Sequence, residues 1–194
     1  MHVPAEPKPE ARRLLALVTD YMLEHGVGAT TLSGMARAIG SNNRMLLYYF
    51  GSKEALLGLA MVEAYGRFPS LSGLMAGLRE GEDIEERLRW GWRKIADEEN
   101  RPFLRLLFEL YGVAARMPQR HREFFEQVSR EWPPELAAVL RQRGFDAGRA
   151  ESLAVQILAL WRGLQLALLA GEPPATLAHA HDSAVAALLS GARD

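Results

Sequence analysis

Apolar residues recur at spacings of three and four along almost the whole of this 194-residue chain. Near its start Leu14, Leu17, Val18, Tyr21 and Met22 follow this spacing, which places them on one face of an α-helix. Alternation of apolar and polar residues, which is typical of a half-buried strand, is limited to stray short runs. The pattern therefore predicts an all-α fold of roughly nine or ten helices.

Glycine, proline and capping residues set the predicted helix boundaries. Gly26 and Gly40 suit the ends of the first two helices, because glycine readily adopts the left-handed conformation. Thr30 or Thr31 can cap the second helix, and Ser52 can cap the fourth. The glycine-punctuated stretch 66–82 predicts a domain boundary with room for one short helix. The other helices are predicted over 44–49, 83–99, 102–115, from 118 onward, and over 133–144, 147–170 and 174–189.

Two short helices joined by a few residues, with Gly40 at the corner, are the sequence form of a helix-turn-helix. In that motif the second helix enters the major groove, whose base edges distinguish all four base pairs. Asn43 and Arg44 suit this groove, because asparagine pairs with adenine and arginine with guanine. A helix pair with a glycine corner also occurs in proteins that bind no DNA, so spacing alone leaves both interpretations open.

Two stretches, 30–40 and 46–56, resemble the DNA-binding domain of TetR-type transcriptional regulators. They share its Thr-Thr opening, its second-helix pattern and most of its Leu-Tyr-x-x-Phe-x-x-Lys-x-x-Leu signature. The resemblance covers about residues 10–60. It implies a helix-turn-helix DNA-binding domain over 1–62, with 1–9 as a flexible arm, and a helical ligand-binding and dimerisation domain over 63–194.

The resemblance also implies roles for individual side chains. The residues that it places at DNA are Thr31, Asn42, Asn43, Arg44, Met45, Tyr48, Tyr49 and Lys53. Thr31 and Lys53 would contact phosphates at the starts of their helices. Side chains 43–45 would face base edges or the groove floor, and the two tyrosines would lie along the backbone or groove. Leu46 and Phe50 would be core residues that hold the third helix.

Three positions depart from the family pattern. Ser41 stands where valine is usual, and Arg44 replaces a small residue and adds a cation at the groove. Leu47 stands where a tyrosine commonly contacts phosphate, which leucine cannot do. We therefore expect a phosphate clamp that is weaker or shifted to Tyr48. Adjacent tyrosines can instead cover a small core with a wet edge, and this alternative stays open.

For the second domain, the resemblance implies binding of a small-molecule effector of unknown identity. A ligand pocket should be mostly apolar with a few polar groups. The candidates are Trp92, Phe108, Tyr111, Phe125, Trp161 and Gln165. Each of them also suits an ordinary core position. Trp90, by contrast, lies off the apolar stripe of its helix and is harder to explain as core.

The resemblance further implies a homodimer. Apolar residues almost encircle the segment 153–170, as expected when a helix packs on its own domain and on a partner. Together with the last helix it can form a four-helix bundle with its symmetry mate. The candidate contacts are Leu153, Ile157, Leu160, Leu164, Leu168, Val185, Leu188 and Leu189. A monomeric core is the alternative.

Composition excludes several classes of function. The chain has no cysteine, and hence no disulfide framework, thiolate zinc site or cysteine nucleophile. His179 and His181 lie two residues apart, so they point to different helix faces, unlike a helical metal pair. The sequence also shows no phosphate loop, nucleophile elbow or metal-binding pattern. We therefore predict no enzyme activity, no cofactor and no metal.

The charge balance is unusual for a DNA-binding protein. The chain carries a net charge of −1, and residues 1–60 hold six Lys or Arg against five Asp or Glu. We therefore expect few phosphate contacts and specificity that depends on a few residues of the third helix. No targeting segment is visible, and Arg162 interrupts the most apolar segment. A cytoplasmic protein with no membrane partner is predicted.

The sequence thus predicts a ligand-responsive transcriptional regulator. It would be a repressor that binds a palindromic double-stranded DNA operator as a homodimer and is released by a small molecule. A helical adaptor that binds only protein is the alternative. The adaptor would keep the C-terminal interface but would need no exposed Asn43 and Arg44, and salt-dependent DNA binding separates the two.

Overall fold

A computed structural model describes residues 8–28, 31–116, 119 and 132–190. All regular structure in these residues is helical, which confirms the predicted all-α fold. The α-helices are α1 (Pro9–His25), α2 (Leu32–Ala38), α3 (Asn43–Phe50), α4 (Lys53–Gly66), α5 (Pro69–Ser72), α6 (Leu74–Arg79), α7 (Ile84–Ile95), α8 (Arg101–Arg116), α9 (Trp132–Gln142), α10 (Ala147–Leu169) and α11 (Pro174–Ser190), with a 3-10 turn at Glu98–Asn100. The predicted helix from 118 onward lies outside the described residues.

Local capping chemistry starts α2, α3 and α4 near the predicted positions. The side chains of Thr31, Asn42 and Ser52 each accept a hydrogen bond of 3.0 Å from a backbone N–H three residues further on. These bonds satisfy N–H groups that a helix end otherwise leaves unpaired. At the other end of α1, Gly26 has a φ of +71°, which favours glycine.

Two predicted stretches differ from the structure. Residues 66–82 hold two short helices, α5 and α6, rather than one. The helix predicted over 83–99 ends at Ile95, because two side chains hydrogen-bond to backbone groups beyond and before that point. Asp97 accepts a 3.1 Å bond from the N–H of Glu99, and the Asn100 side chain donates to the carbonyl of Lys94 at 2.7 Å.

The chain forms two compact units. The first unit combines residues 1–67 with 105–121, and the second combines 68–104 with 122–194. Residues 101–104 of α8 therefore belong to the second unit, and the rest of α8 belongs to the first. The domain division at 62 and 63 stays a prediction.

In the first unit, α1 packs on α4. Leu14, Val18 and Met22 on α1 and Leu56 on α4 are fully buried. The buried hydroxyl of Thr19 donates to the carbonyl of Leu15 at 2.9 Å, so this polar group is satisfied inside the core. This α1–α4 core carries the two short helices α2 and α3.

In the second unit, α10 packs on α9 and α11, and α11 packs on α7. Trp90, which the sequence leaves unexplained, lies on Gly77 of α6, where a Cβ atom would overlap its ring. The guanidinium carbon of Arg87 lies 5.5 Å from the Trp90 ring centroid. Trp90 thus covers α6, and Gly77 makes this close approach possible.

Helix α10 is the only single helix in the described part of the chain that is long and apolar enough to cross a membrane. Helices α3 and α4, which are separated by a sharp bend, are together also long and apolar enough. Core helices of globular proteins often have the same length and apolar composition. The buried side chains of α10, which include Ile157, Trp161 and Gln165, recur on one stripe that packs on α9 and α11. Its packing is that of a core helix.

Candidate nucleic-acid interface and ligand site

A tight turn and one side-chain hydrogen bond connect α2 to α3. Gly40, with a φ of +68°, lets the chain turn, and the N–H of Ser41 donates to the carbonyl of Ala36 at 2.8 Å. The side chain of Asn43 donates from Nδ2 to the hydroxyl oxygen of Ser33 at 2.6 Å. Leu46 on α3 is fully buried. The two helices are therefore held in a fixed relation, which a reading helix requires.

The exposed face of α3 consists of Arg44, Leu47 and Tyr48. Leu47 is 44% exposed and Tyr48 is 66% exposed. Residues three and four apart on a helix are neighbours, so these side chains form one continuous surface. Met45 and Tyr49 are half-buried instead, and the Tyr49 ring lies 4.9 Å from that of Tyr48 in an edge-on arrangement. The surface offers one cation, one apolar group and one phenol.

Asn42 and Asn43 have structural roles in addition to the predicted DNA contacts. Asn42 caps α3 through its side-chain oxygen. Asn43 is half-buried and ties α3 to α2, while its Oδ1 atom is buried and has no partner among the described residues. Of the predicted base-edge residues, Arg44 is therefore the one that the structure leaves fully open to a groove.

Thr31 and Lys53 lie at helix starts, where backbone N–H groups favour an anion. The Thr31 hydroxyl accepts from the N–H of Gly34 at 3.0 Å, so its own proton stays available to a phosphate. Thr31 is exposed at the start of α2. Lys53 is half-buried at the first position of α4, directly after the Ser52 cap.

Lys8 is a neighbour of this surface that the sequence interpretation missed. Its Nζ donates to the Tyr48 hydroxyl at 3.3 Å and lies 5.4 Å from the Tyr48 ring centroid. The two residues are 40 positions apart in the chain. A lysine directly before Pro9, the first residue of a helix, was the only available signal.

Glu109 on α8 holds the loop that leads to α2. Its two carboxylate oxygens accept the backbone N–H groups of Val27 and Gly28 at 2.8 and 2.5 Å. A Cβ atom at Gly28 would lie 2.7 Å from the Glu109 carboxylate, and one at Gly26 would overlap it. The glycines therefore let the carboxylate approach the backbone directly. No local pattern predicts this bond, which spans 82 residues to Val27.

Of the predicted ligand residues, Trp92 and Trp161 are brought together in the second unit through His181. The Trp161 Nε1–H donates to His181 Nε2 at 3.0 Å, and the Trp92 and His181 rings are stacked with centroids 5.7 Å apart. His181 is fully buried, and its Nδ1 lies 3.0 Å from a carboxylate oxygen of Asp182. Burial lowers the pKa of His181, a shift that the hydrogen bond to Asp182 opposes.

The other predicted ligand residues are dispersed. Gln165 is buried on α10 and accepts from Arg162 at 3.2 Å. Phe108 and Tyr111 belong to the first unit, where their ring centroids lie 6.2 Å apart. Phe125 lies outside the described residues. Within those residues, no group of three or more His, Asp or Glu side chains could hold a metal ion.

The predicted dimer contacts differ in how deeply they are buried in the second unit. Leu153, Ile157, Leu168 and Val185 are already fully enclosed in the second unit, and Leu189 is also buried. A side chain enclosed by its own unit has no area left to bury against a partner. Leu160, Leu164 and Leu188 are half-buried. The large apolar side chains that α10 exposes are Val155, at 59%, and Leu166, at 55%.

Comparison with known protein families gives one match. Residues 19–60 match the model of the family described as bacterial regulatory proteins, tetR family. This segment includes residues 19–25 at the end of α1, all of α2 and α3, and residues 53–60 of α4. No curated protein matches the chain.

Solved structures resemble the chain over almost its whole length. A transcriptional regulator from Rhodococcus sp. Rha1 is 23% identical, with a TM-score of 0.75 over 95% of this chain and 98% of that one. A protein of Streptomyces coelicolor A3(2) assigned to transcriptional regulation is 28% identical, with a TM-score of 0.66 over 93% and 98%. The multidrug-binding protein EbrR, solved with imidazole, is 19% identical, with a TM-score of 0.70 over 93% and 95%. The shared feature is the fold, with its helix-turn-helix near the N-terminus.

Proposed function

We propose that this chain, whose residues 19–60 match the tetR family of bacterial regulatory proteins, is a transcriptional regulator of that family and acts as a repressor. It binds a palindromic DNA operator as a homodimer and leaves it when a small molecule binds. The tetR family consists of DNA-binding regulators rather than enzymes. The cytoplasm, where the DNA lies, is its proposed location.

The observation that carries this proposal is the exposed face of α3. A buried Leu46 and the Asn43–Ser33 bond fix the helix, while Arg44 and Tyr48 project from it into solvent. An arginine on a rigid helix can donate two hydrogen bonds to the major-groove edge of guanine. The amino ends of α2 and α4 supply phosphate contacts through Thr31 and Lys53, which set the position of α3 on the duplex.

The homodimer is supported by two exposed stripes in the second unit. On α10 the stripe is Ser152, Val155, Ala159, Gly163 and Leu166, and on α11 it is Thr176, Ala180, Ser183, Ala187 and Ser190. Both follow spacings of three and four, so each forms one continuous helix face. Their small side chains permit close approach of helices, and the apolar ones gain stability when buried. Two such helices from each protomer form a four-helix interface.

A dimer presents two copies of α3, which fit two half-sites about one DNA turn apart. The effector is proposed to bind in the second unit beside Trp92 and Trp161, which enclose His181. Because these side chains are buried, the helices that carry them must move apart to admit it. It releases the operator only if it binds the released state more tightly than the DNA-bound state. EbrR, with a similar fold, is itself described as a multidrug-binding protein.

Selection of an operator from random duplex DNA tests the proposal. We expect a two-fold symmetric site, and we expect Arg44→Ala to weaken its binding about ten- to a hundredfold while relaxing the preference at one base pair. The control is Arg141→Ala, which removes an exposed arginine from α9 in the second unit. Enrichment of no sequence, or equal effects of the two substitutions, would refute DNA reading by α3 and favour the protein-binding adaptor.

A further inference from the structure

We propose that Lys8 and Tyr48 together form a binding site for one phosphodiester group of DNA, on the flank of the reading helix α3. This inference rests on the proposed DNA-binding function and adds a residue, Lys8, that lies outside the helix-turn-helix. The ligand is a single backbone phosphate, so the site contributes affinity and position rather than sequence preference.

Lys8 and Tyr48 lie next to each other in the first unit. Lys8 occupies the N-cap position of α1 without a side-chain capping bond, and Tyr48 lies near the end of α3. The Lys8 ammonium lies 3.3 Å from the Tyr48 hydroxyl and 5.4 Å from the ring centroid. Both side chains are exposed. The contact keeps the lysine, which would otherwise extend freely into water, next to the exposed face of α3.

The Lys8–Tyr48 pair has hydrogen-bond donors that its own internal bond does not use. An ammonium has three N–H donors, and the bond to the tyrosine uses one of them. Because the Tyr48 oxygen accepts that bond, its own O–H points elsewhere and remains a donor. The pair therefore presents two N–H donors and one O–H donor from one place. The two unesterified oxygens of a phosphodiester only accept hydrogen bonds, and charge-assisted bonds to them are strong.

The Lys8 charge is not neutralised within the described residues. Lys8 has no carboxylate partner among them, in contrast to Arg13, five residues further on, whose guanidinium lies 2.7 Å from Glu10. The positive charge of Lys8 is thus available to an external anion. Neutralising a DNA phosphate releases condensed counterions, which is the main source of affinity for the backbone.

Tyr48 and Lys8 lie beside Arg44, the residue proposed to contact a base. Tyr48 lies four residues after Arg44, so the two side chains are neighbours on one face of α3. If Arg44 reaches a base edge, Tyr48 and Lys8 face the side wall of the groove, which is lined with phosphates. Leu47, between them in sequence and also exposed, has no donor to offer.

The test measures how operator affinity depends on salt for the full chain and the Lys8→Ala variant. Because the homodimer carries two copies of Lys8, we expect Lys8→Ala to reduce the slope of log K against log salt by about 1.8, the value for one phosphate contact in each half-site. Between 50 and 200 mM salt this change amounts to about twelvefold in the ratio of affinities. Lys94→Ala, at an exposed lysine of the second unit, should keep the wild-type slope.

A second measurement locates the contact. Operators carrying one uncharged methylphosphonate at successive positions should show one position in each half-site that weakens wild-type binding but leaves Lys8→Ala binding unchanged. Tyr48→Phe keeps the ring and loses the hydroxyl, and it should weaken binding less in the Lys8→Ala background than in the wild type. Lys8→Gln serves as a second variant, and thermal unfolding checks that each variant is folded.

The outcomes separate this inference from the proposed function. A wild-type protein that binds no selected duplex overturns both. A wild-type protein that binds its operator, with Lys8→Ala and Lys8→Gln keeping the full salt slope, overturns only the phosphate site. Weaker binding with an unchanged slope also overturns it, because a lost phosphate contact must change the number of released counterions.

Discussion

The buried imidazole of His181 can keep its hydrogen bonds only in the neutral form. Its Nε2 atom accepts from Trp161, so the ring proton must lie on Nδ1, which donates to Asp182. Protonation would put a second N–H against the indole N–H. Burial lowers the pKa of His181, and the nearby Arg89, whose Nε lies 3.7 Å from Asp182, acts in the same direction.

This arrangement predicts a pH-dependent stability. Because the folded pKa lies below the unfolded value of about 6.5, the unfolded chain binds more protons at acidic pH. Stability is therefore full above about pH 6.5 and falls as the pH drops towards the folded pKa, by at most about 1.4 kcal/mol per pH unit. Denaturant unfolding at pH 7.5 and pH 5.5 measures this loss of unfolding free energy. We expect the loss to be smaller in His181→Gln than in the wild type.

His179→Gln is the matched control, because His179 is exposed on the same helix. It should keep the wild-type dependence on pH. If His181→Gln and the wild type lost stability in parallel, titration of His181 would not be the cause.

At the scale of the element, α8 is continuous from the second unit into the first and carries Glu109. The carboxylate holds the N–H groups of Val27 and Gly28, three residues before the α2 cap at Thr31. Two charge-assisted bonds hold the backbone at residues 27 and 28. We therefore expect the start of α2, where a phosphate is proposed to bind, to depend on this side chain of α8.

Glu109→Gln tests this dependence. An amide keeps the shape but replaces one accepting oxygen with a donor, so one backbone N–H loses its partner. We expect a loss of about 1–3 kcal/mol in unfolding free energy and weaker operator binding. Thermal or denaturant unfolding and operator titration measure the two effects.

Glu135→Gln provides the comparison, since Glu135 forms only an exposed ion pair with Arg79 at 3.3 Å. Its removal should cost at most about 1 kcal/mol and leave operator binding intact. Equal effects of the two substitutions would show that the Glu109 contact does not position the loop.

At the scale of the whole molecule, the proposed dimer depends on the exposed stripes of α10 and α11. Leu166→Glu places a charge at the carboxyl end of the α10 stripe without touching the enclosed core, because Leu166 is 55% exposed. An unpaired charge at an interface costs several kcal/mol, so the dimer dissociation constant should rise at least about a hundredfold. Sedimentation velocity over a range of concentrations measures it.

Val62→Glu is the control for this prediction, since Val62 is 53% exposed on α4 in the first unit. It should leave the mass in solution unchanged. A wild-type protein that sediments as a monomer at micromolar concentration would contradict the proposed interface, as would an unchanged mass of Leu166→Glu.

Sequence alone predicted what depends on neighbouring residues. The caps at Thr31 and Ser52 and the end of α1 at Gly26 follow from local hydrogen bonding and from glycine's freedom at positive φ. The Lys8–Tyr48 and Glu109–Gly28 contacts span 40 and 81 residues. Spacing along the chain carries no information about such partners, because tertiary packing alone brings them together.

The same limit explains the predicted dimer face. A helix that is apolar on nearly all sides, as α10 is, gives no sign of which side its own unit covers. The structure decides this by packing α9 and α11 against Ile157 and Trp161, which leaves Val155 and Leu166 outside. The candidate pocket remains a prediction for a related reason, since Trp92 and Trp161 suit a core as well as a ligand.

The first unit is built from two separate segments of the chain, and this limits how the protein can be re-engineered. A fragment cut after Arg67 would lack residues 105–121 and would leave the amides of Val27 and Gly28 without Glu109. Residues 1–67 are therefore not expected to work as a transferable DNA-binding domain. A chimera that fuses them to a foreign sensor domain must also supply a carboxylate at the position of Glu109, so that the amides of Val27 and Gly28 stay paired.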